Sequence, residues 1–182
     1  MKRKKIGILV GSLRRDSYSK KVAQYLAGLL DAQFDVVYPD TSGLALYNED
    51  LENEGIPNEW QVFRNEIKAL DAVLFVTPEY NRSIPAVLKN ALDVASRPSG
   101  ESVWGGKPGA IASVSPGKIG GFGANNHLRQ VTTCLNIYMM QKPEAYIGGI
   151  SGAVDDNGVS DKGMQDYLRG FAVEFAEWVN RF

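Results

Sequence analysis

The sequence predicts an α/β fold in which a doubly wound parallel sheet carries helices on both faces. Short apolar runs, typical of strands buried on both faces, alternate along the chain with segments of helical periodicity. The alternation occurs five times, and strands that alternate with helices in this way form parallel sheets. We see no internal repeat and no low-complexity segment. We therefore expect a single domain over residues 1–182.

The first strand–helix unit lies at the start of the chain. The apolar run Ile6–Val10 predicts a buried strand, which stops at Gly11. From about Ser17 to Leu30, apolar residues recur at three- and four-residue spacing, which predicts a helix. A second strand is predicted over Phe34–Tyr38, and the stretch that follows it is expected to be irregular.

The remaining units follow the same pattern and lead to a glycine-rich connection before the last helix. The predicted elements are a helix from Asn58 to Leu70, a strand at Ala72–Thr77, a helix at Ala86–Ser96, a strand at Gly109–Val114, a helix to about Leu135, a strand at Ile137–Met140 and a helix at about Ser160–Phe182. Five such units suit the flavodoxin-like strand order 2-1-3-4-5. In that order, ligands bind beyond the carboxyl ends of the strands, between the first and third strands.

The turn between the first strand and the first helix predicts a phosphate site. It carries Ser12, Arg14, Ser17 and Ser19. A strand that enters a helix through such a turn directs free backbone N–H groups and the positive end of the helix dipole at one point. The hydroxyls would donate hydrogen bonds to a phosphate monoester, and an arginine would supply charge. The alternative is that Ser17 or Ser19 is only the N-cap of the helix.

Three better-known phosphate loops do not match this turn. The Gly-Lys-Ser/Thr ending of a P-loop is missing around Ser19, and Gly7 and Gly11 have the wrong spacing for a dinucleotide-binding motif. A cysteine-based phosphatase loop is excluded because the only cysteine is Cys134. A site for a mononucleotide phosphate remains.

Two further loops have unusual sequences and follow the third and fourth strands. The second loop begins with Pro78 and ends with Pro85, so its shape is restricted. The third loop, Ser115–Gly121, is rich in glycine. Because parallel strands bring their carboxyl ends to one edge of the sheet, the three loops are expected to converge on one site.

Composition excludes several classes of protein. A formal net charge of −1 argues against a nucleic-acid binder. No apolar stretch reaches the length of a membrane span, and the N-terminus lacks the apolar region of a signal peptide, so we expect a cytoplasmic protein with no membrane partner. A single cysteine excludes an internal disulfide. One histidine and one cysteine make a metal site such as zinc implausible.

Three motifs together resemble the NADPH-dependent FMN reductase family, and within it the flavodoxin-like quinone, chromate and azo-dye reductases. They are GSLRRDS at 11–17, TPEYNRSIPAVLKNALD at 77–93 and SPGKIGG at 115–121. The middle motif is the most specific, because Pro-Glu-Tyr-Asn followed by Ser-x-Pro and Leu-Lys-Asn is an unusual string. The resemblance covers nearly the whole chain, from Ile6 to the final helix.

The resemblance implies an FMN-dependent NAD(P)H oxidoreductase. NADPH or NADH would be the co-substrate, and a quinone, an azo compound, chromate or free flavin would be the small-molecule electron acceptor in a ping-pong cycle. We nominate no catalytic side chain, because the flavin carries the redox step. The resemblance also implies a homodimer or a homotetramer. The physiological acceptor, the preference between NADH and NADPH, and one- or two-electron transfer stay open.

The resemblance gives each loop a role at the flavin. The first loop would hold the FMN phosphate through Ser12, Arg14, Ser17 and Ser19. The second loop would lie along the isoalloxazine ring, and the third would close the other side, where glycines let the backbone approach the ring. The residues expected there are Pro78, Glu79, Tyr80, Asn81, Ser115, Gly117, Gly120 and Gly121.

Several of these residues have an alternative interpretation. Glu79 could be a solvated carboxylate, Tyr80 could face a partner subunit, and Gly120 and Gly121 could form only a turn. Outside the predicted site, Arg82 and Lys118 could contact the NADPH phosphate or remain solvated, His127 is expected to be a structural helix residue, and Cys134 is expected in the core.

The function also has alternatives. A flavodoxin-type electron carrier without NAD(P)H oxidation would bind the same cofactor, but typical flavodoxins are strongly acidic, whereas this chain is nearly neutral. A flavin-binding regulator without turnover is the third possibility, and steady NADPH oxidation would exclude it.

Overall fold

A parallel sheet forms the centre of the computed structural model, which describes residues 2–182. Its strands are β1 Lys5–Val10, β2 Asp35–Val37, β3 Ala72–Pro78, β4 Pro108–Val114, β5 Tyr138–Met139 and β6 Ala145–Ile147. The order β2-β1-β3-β4-β5 confirms the predicted flavodoxin-like topology. Both β5 and β6 pair in parallel with β4, so two short strands share the fifth position of the sheet.

Helices cover both faces of the sheet, as predicted. They are α1 Tyr18–Leu30, α2 Glu49–Gly55, α3 Asn58–Lys68, α4 Ala86–Val94, α5 Phe122–Cys134 and α6 Lys162–Asn180. Side chains of α1 and α6 pack into one apolar core, and side chains of α3, α4 and α5 pack into the other. Within residues 2–182, no helix has the length and apolar character needed to cross a membrane.

The strands are apolar throughout because each must bury both faces. In β1, Ile8 contributes to the core shared with α1, and its neighbour Leu9 contributes to the core shared with α3. This alternation follows from the two-residue period of a strand. At Gly7 the sheet lies so close to Leu70 that a Cβ would come within 2.3 Å of its Cδ1 atom.

Strand register brings the ends of β1, β3 and β4 together. Val10 is paired with Val76, and Pro78 is paired with Val114. The Gly11 N–H donates to the Val76 carbonyl at 2.9 Å, which continues the pairing into the first loop. The loops that follow these three strands therefore leave the sheet at the same edge.

Two regions are more regular than the sequence predicts. The stretch expected to be irregular contains α2, which begins where the Asn48 side chain accepts a hydrogen bond from the Asp50 N–H at 3.0 Å. Because α2 has no fully buried residue, it lacks the apolar stripe that would reveal a helix. The glycine-rich connection contains a short antiparallel hairpin of β7 Val154–Asp155 and β8 Gly158–Val159.

The expectation that Cys134 lies in the core is wrong. Its side chain is exposed at the end of α5. The buried stripe of this helix includes Ala124, Leu128 and Thr132. An α-helix has 3.6 residues per turn, so position 134, two residues after Thr132, lies on a different face from this stripe.

Candidate functional site

The loops after β1, β3 and β4 meet around a cavity of about 160 Å³, which we call the cradle. It is lined by Ser12, Arg14, Ser17, Tyr18, Ser19, Pro78, Glu79, Tyr80, Val114, Ser115 and Pro116. Residues that are far apart in the chain thus share one small space, as the topology predicts.

Three buried serines and the start of α1 form one wall of the cradle. Ser12, Ser17 and Ser19 are only 4, 3 and 1% exposed. The Ser17 hydroxyl accepts a hydrogen bond from the Lys20 N–H at 3.3 Å, so Ser17 is the N-cap of α1. A hydroxyl that accepts one hydrogen bond keeps its own proton for donation. Ser17 can therefore cap the helix and bind an anion at the same time.

The electrostatics of this wall favour an anion. The start of α1 carries the positive end of the helix dipole. In the first turn of α1, which is described in full, no acidic residue offsets that charge. Arg14 adds a cation to the lining of the cradle. Backbone dipole, hydroxyl donors and a guanidinium are together suited to a phosphate.

The second loop contains a strained two-residue turn. The backbone groups of Tyr80 and Ser83 donate to each other at 2.9 Å in both directions. Between them, Asn81 and Arg82 have φ angles of 50° and 68°. Two consecutive residues with positive φ form a turn of the I′ type, and the left-handed conformation is unfavourable for arginine. Such strain is concentrated at functional sites.

Glu79 ties the second loop to the start of α5. Its carboxylate accepts a hydrogen bond from the Ala124 N–H at 3.1 Å, and it lies 3.9 Å from the Arg82 guanidinium. The side chain is 17% exposed, so the alternative of a solvated carboxylate is wrong. A carboxylate at the start of a helix is favoured by the helix dipole. Glu79 therefore fixes the distance between the second loop and α5.

We expect Glu79→Ala to lower the free energy of unfolding by about 1–2 kcal/mol, because it removes a capping acceptor from α5. Glu79→Gln keeps an oxygen acceptor and should lose less than half of that amount. Urea unfolding of both variants gives the comparison. Equal losses in the two variants would show that the hydrogen bond to Ala124 is unimportant.

The third loop packs directly on the backbone of β6. At Gly120, where φ is +67°, a Cβ would lie 2.4 Å from the carbonyl carbon of Tyr146. The Ser113 hydroxyl donates to the Gly120 carbonyl at 2.7 Å and fixes this contact. Gly121, with φ of +74°, is the N-cap residue of α5. Both glycines thus have a structural reason to be glycine, in addition to the flavin contact predicted from the sequence.

The structure separates the predicted site residues into two groups. Ser12, Arg14, Ser17, Ser19, Pro78, Glu79, Tyr80 and Ser115 line the cradle, whereas Asn81, Gly117, Gly120 and Gly121 do not. The second group shapes the loops that carry the first. Sequence reasoning missed Tyr18, Val114 and Pro116. Tyr18 and Pro116 lie inside or beside the quoted motifs and could have been included on that ground.

The other polar residues considered from the sequence lie outside the cradle. His127 is exposed on α5, and its Nδ1 lies 2.9 Å from the Ser83 hydroxyl, so it helps to hold the second loop. This placement agrees with a structural role. The Arg82 side chain is 78% exposed, and Lys118 is also exposed.

Comparison with known proteins gives matches over almost the whole chain. A sequence profile of the family described as NADPH-dependent FMN reductase matches residues 4–152. The chain is 51% identical over 174 residues to a quinone reductase of Pseudomonas putida, which covers 96% of this chain and 94% of that protein. It is 47% identical over 176 residues to a 2-hydroxy-1,4-benzoquinone reductase of a Burkholderia species, with 96% of each chain covered.

One solved structure extends the similarity to three dimensions. The flavoenzyme NAD(P)H:(acceptor) oxidoreductase FerB of Paracoccus denitrificans superposes with a TM-score of 0.91 at 36% sequence identity. The alignment covers 98% of both chains. The cradle and its three loops therefore lie in a part of the fold that the two proteins share.

Proposed function

The chain belongs to the NADPH-dependent FMN reductase family, and from this premise we propose that it is an FMN-dependent NAD(P)H oxidoreductase that reduces quinones. The observation that carries the proposal is the cradle, where hydroxyl donors and an arginine surround the start of α1. We propose a quinone as the electron acceptor because two relatives that share about half of their residues with this chain are named as quinone reductases. An azo compound, chromate or free flavin would use the same site.

The residues present fit an FMN phosphate. A dianion would accept hydrogen bonds from the buried hydroxyls of Ser12, Ser17 and Ser19 and would be neutralised in part by Arg14. The volume of about 160 Å³ is small beside the roughly 300–1,000 Å³ of pockets that enclose a complete organic ligand. We therefore place the phosphate end of FMN in the cradle and the isoalloxazine ring outside it.

Outside the cradle, the ring would meet the second and third loops. Pro78, Tyr80 and Ser115 belong to these loops and also line the cradle. Tyr80, Ile119 and Phe122 are exposed apolar side chains on the same loops and at the start of α5, at 47, 61 and 51% exposure. An open ring would leave one face accessible to two substrates in turn, as a ping-pong cycle requires.

FMN, when bound, supplies the redox chemistry that transfers hydride from NAD(P)H to the acceptor. The chain itself binds and orients. The hydroxyl wall and Arg14 fix the phosphate, and the turn between Tyr80 and Ser83 holds the second loop in a single shape. Glu79 secures that loop to α5. We assign no proton transfer to a side chain.

An anaerobic titration tests the proposed function. We expect the purified protein to bind FMN, and NADPH or NADH to bleach the flavin absorbance promptly. Addition of a benzoquinone should then restore the absorbance. Bound FMN that bleaches only with dithionite would indicate an electron carrier or a regulator instead. Absence of FMN binding would contradict the role of the cradle.

The assembly and the place of action are further parts of the proposal. We propose that the protein assembles as a homodimer or a homotetramer, as the resemblance to the family implies. Light scattering would measure the mass of the assembly, and a monomer at all concentrations would contradict it. We place the reaction in the cytoplasm, where NAD(P)H is supplied, with no nucleic acid or membrane as partner.

A further inference from the structure

A second cavity, larger than the cradle, lies next to it. Its volume is about 540 Å³, and it is bounded by α1, β1 and the segment that follows β2. Ser12 lines both cavities, so they meet at the residue that begins the first loop. The volume falls within the range of pockets that hold organic ligands, roughly 300–1,000 Å³.

The inner lining of this cavity is apolar. Ile8 and Val10 of β1 contribute to it, together with Leu13 and Tyr38. Tyr38 is 47% exposed, and its hydroxyl donates to the Ala23 carbonyl of α1 at 3.3 Å, which fixes the side chain at the cavity wall. Flat aromatic ligands bind well to such a combination of aliphatic and aromatic side chains.

The rim of the cavity is polar and carries one charge of each sign. Lys20 and Gln24 of α1 lie on one side, and Asp40 lies on the other. The Asp40 carboxylate accepts a hydrogen bond from the Ser42 N–H at 2.8 Å, which lowers the pKa of Asp40 below its usual value. An ionised carboxylate is a strong acceptor for vicinal hydroxyl groups, and an ammonium favours phosphate.

The topology places these groups as in proteins that bind dinucleotides. There, phosphates lie at the start of the helix after the first strand, and an acidic residue near the end of the neighbouring strand binds a ribose. In this chain β2 neighbours β1 through the pair Gly7 and Val37, and Asp40 follows three residues after that pair. The glycine motif of that class is missing, but the carboxylate again follows the strand that neighbours the phosphate-binding strand–helix unit.

We propose that the cavity is a nucleoside subsite, in which Tyr38 packs against a purine base, Asp40 accepts hydrogen bonds from the ribose, and Lys20 lies near the attached phosphate. The assignment rests on the phosphate position proposed above. The ligand chemistry is that of an adenosine phosphate. Two molecules could supply it, namely the AMP half of FAD, whose flavin phosphate would lie in the cradle, and the ADP half of NADH, whose adenosine ribose carries no phosphate on its 2′-hydroxyl.

The first test uses ADP as the probe. ADP is titrated calorimetrically into the protein with FMN bound and after removal of FMN. We expect binding in at least one of these states. Gln24→Trp, which fills the cavity from an exposed helix position, should weaken ADP binding by about tenfold or more. Gln130→Trp makes the same change at an exposed position of α5 outside the cavity and should leave it unchanged.

A second variant, which adds no bulky side chain, shows whether the tryptophan acts by filling the cavity or by disturbing α1. Asp40→Ala should weaken ADP binding by about fivefold to tenfold, because it removes the ribose acceptor. It should not weaken the binding of inorganic phosphate or FMN by more than about twofold. No ADP binding in either state, or equal ADP binding by the wild type and both cavity variants, would overturn the subsite.

Two ratios identify the source of the adenosine. If FAD supplies it, Gln24→Trp lowers the affinity for FAD relative to FMN. If NADH supplies it, Gln24→Trp raises the KM of NADH relative to that of reduced nicotinamide mononucleotide, which lacks the adenylate. If neither ratio changes, the proposed subsite is contradicted. Loss of FMN binding with retained, Gln24-dependent ADP binding would contradict the proposed function and leave the subsite standing.

Discussion

Replacing Ser17 with Asp is expected to weaken FMN binding by roughly 100- to 1,000-fold while the protein stays folded. Asp is as good an N-cap residue as Ser, so its side chain can still accept the Lys20 N–H and α1 still begins at the same place. The change puts a carboxylate in the cradle, where the FMN phosphate is proposed to lie. Two like charges in contact at a binding site cost several kcal/mol.

Ser17→Asn is the matched control for this prediction. Asn has nearly the same shape as Asp and is an equally good N-cap, but it is neutral. We expect it to weaken FMN binding by only about tenfold, the effect of one altered hydrogen bond. Flavin fluorescence gives both affinities, and urea unfolding of the FMN-free proteins shows whether α1 is intact. Equal affinities for the Asp and Asn variants would place the phosphate elsewhere.

Replacing Gly120 with Ala is expected to lower the free energy of unfolding by about 2–5 kcal/mol. The positive φ of this residue costs about 1–2 kcal/mol for any residue with a Cβ. The contact with Tyr146 adds a second cost of about 1–3 kcal/mol, because backbone atoms of a sheet cannot move aside as a side chain can. We also expect weaker FMN binding, since the third loop would be displaced from β6.

Gly149→Ala separates these two costs. Gly149 has a similar φ of +63°, but no atom lies within 4 Å of its added Cβ. This variant should lose only the conformational cost of about 1–2 kcal/mol. Urea unfolding of both proteins measures the difference. If both variants lost the same free energy of unfolding, the close contact between Gly120 and β6 would add no cost of its own.

The parallel sheet and the convergence of the three loops could be predicted from the sequence, because both follow from patterns local in the chain. Buried strands such as β3 are continuous apolar runs, and the topology then fixes where their ends meet. The role of Ser17 as N-cap was also visible as an alternative. That Ser17 can cap α1 and also donate to an anion follows only from the structure, which gives both its hydrogen bond and its burial.

Features that depend on contacts between distant parts of the chain could not be predicted. The hydrogen bond from Ala124 to Glu79 joins residues 45 positions apart, and no sequence pattern indicates it. The second cavity lies between α1 and the segment after β2, and its existence depends on how side chains such as Tyr38 pack. The exposure of Cys134 was missed because α5, FGANNHLRQVTTC, has few apolar residues, so its sequence marks the face that meets the core only weakly.

That exposed thiol makes the protein easy to label at one defined point. Cys134 is the only cysteine of the chain, so a maleimide dye would react at a single position without prior mutagenesis. It ends α5, and Ala124, in the first turn of the same helix, lies beside the second loop. Ten residues of helix place the dye about 15 Å along the axis from Ala124. Energy transfer between such a dye and a bound flavin would report flavin occupancy in real time.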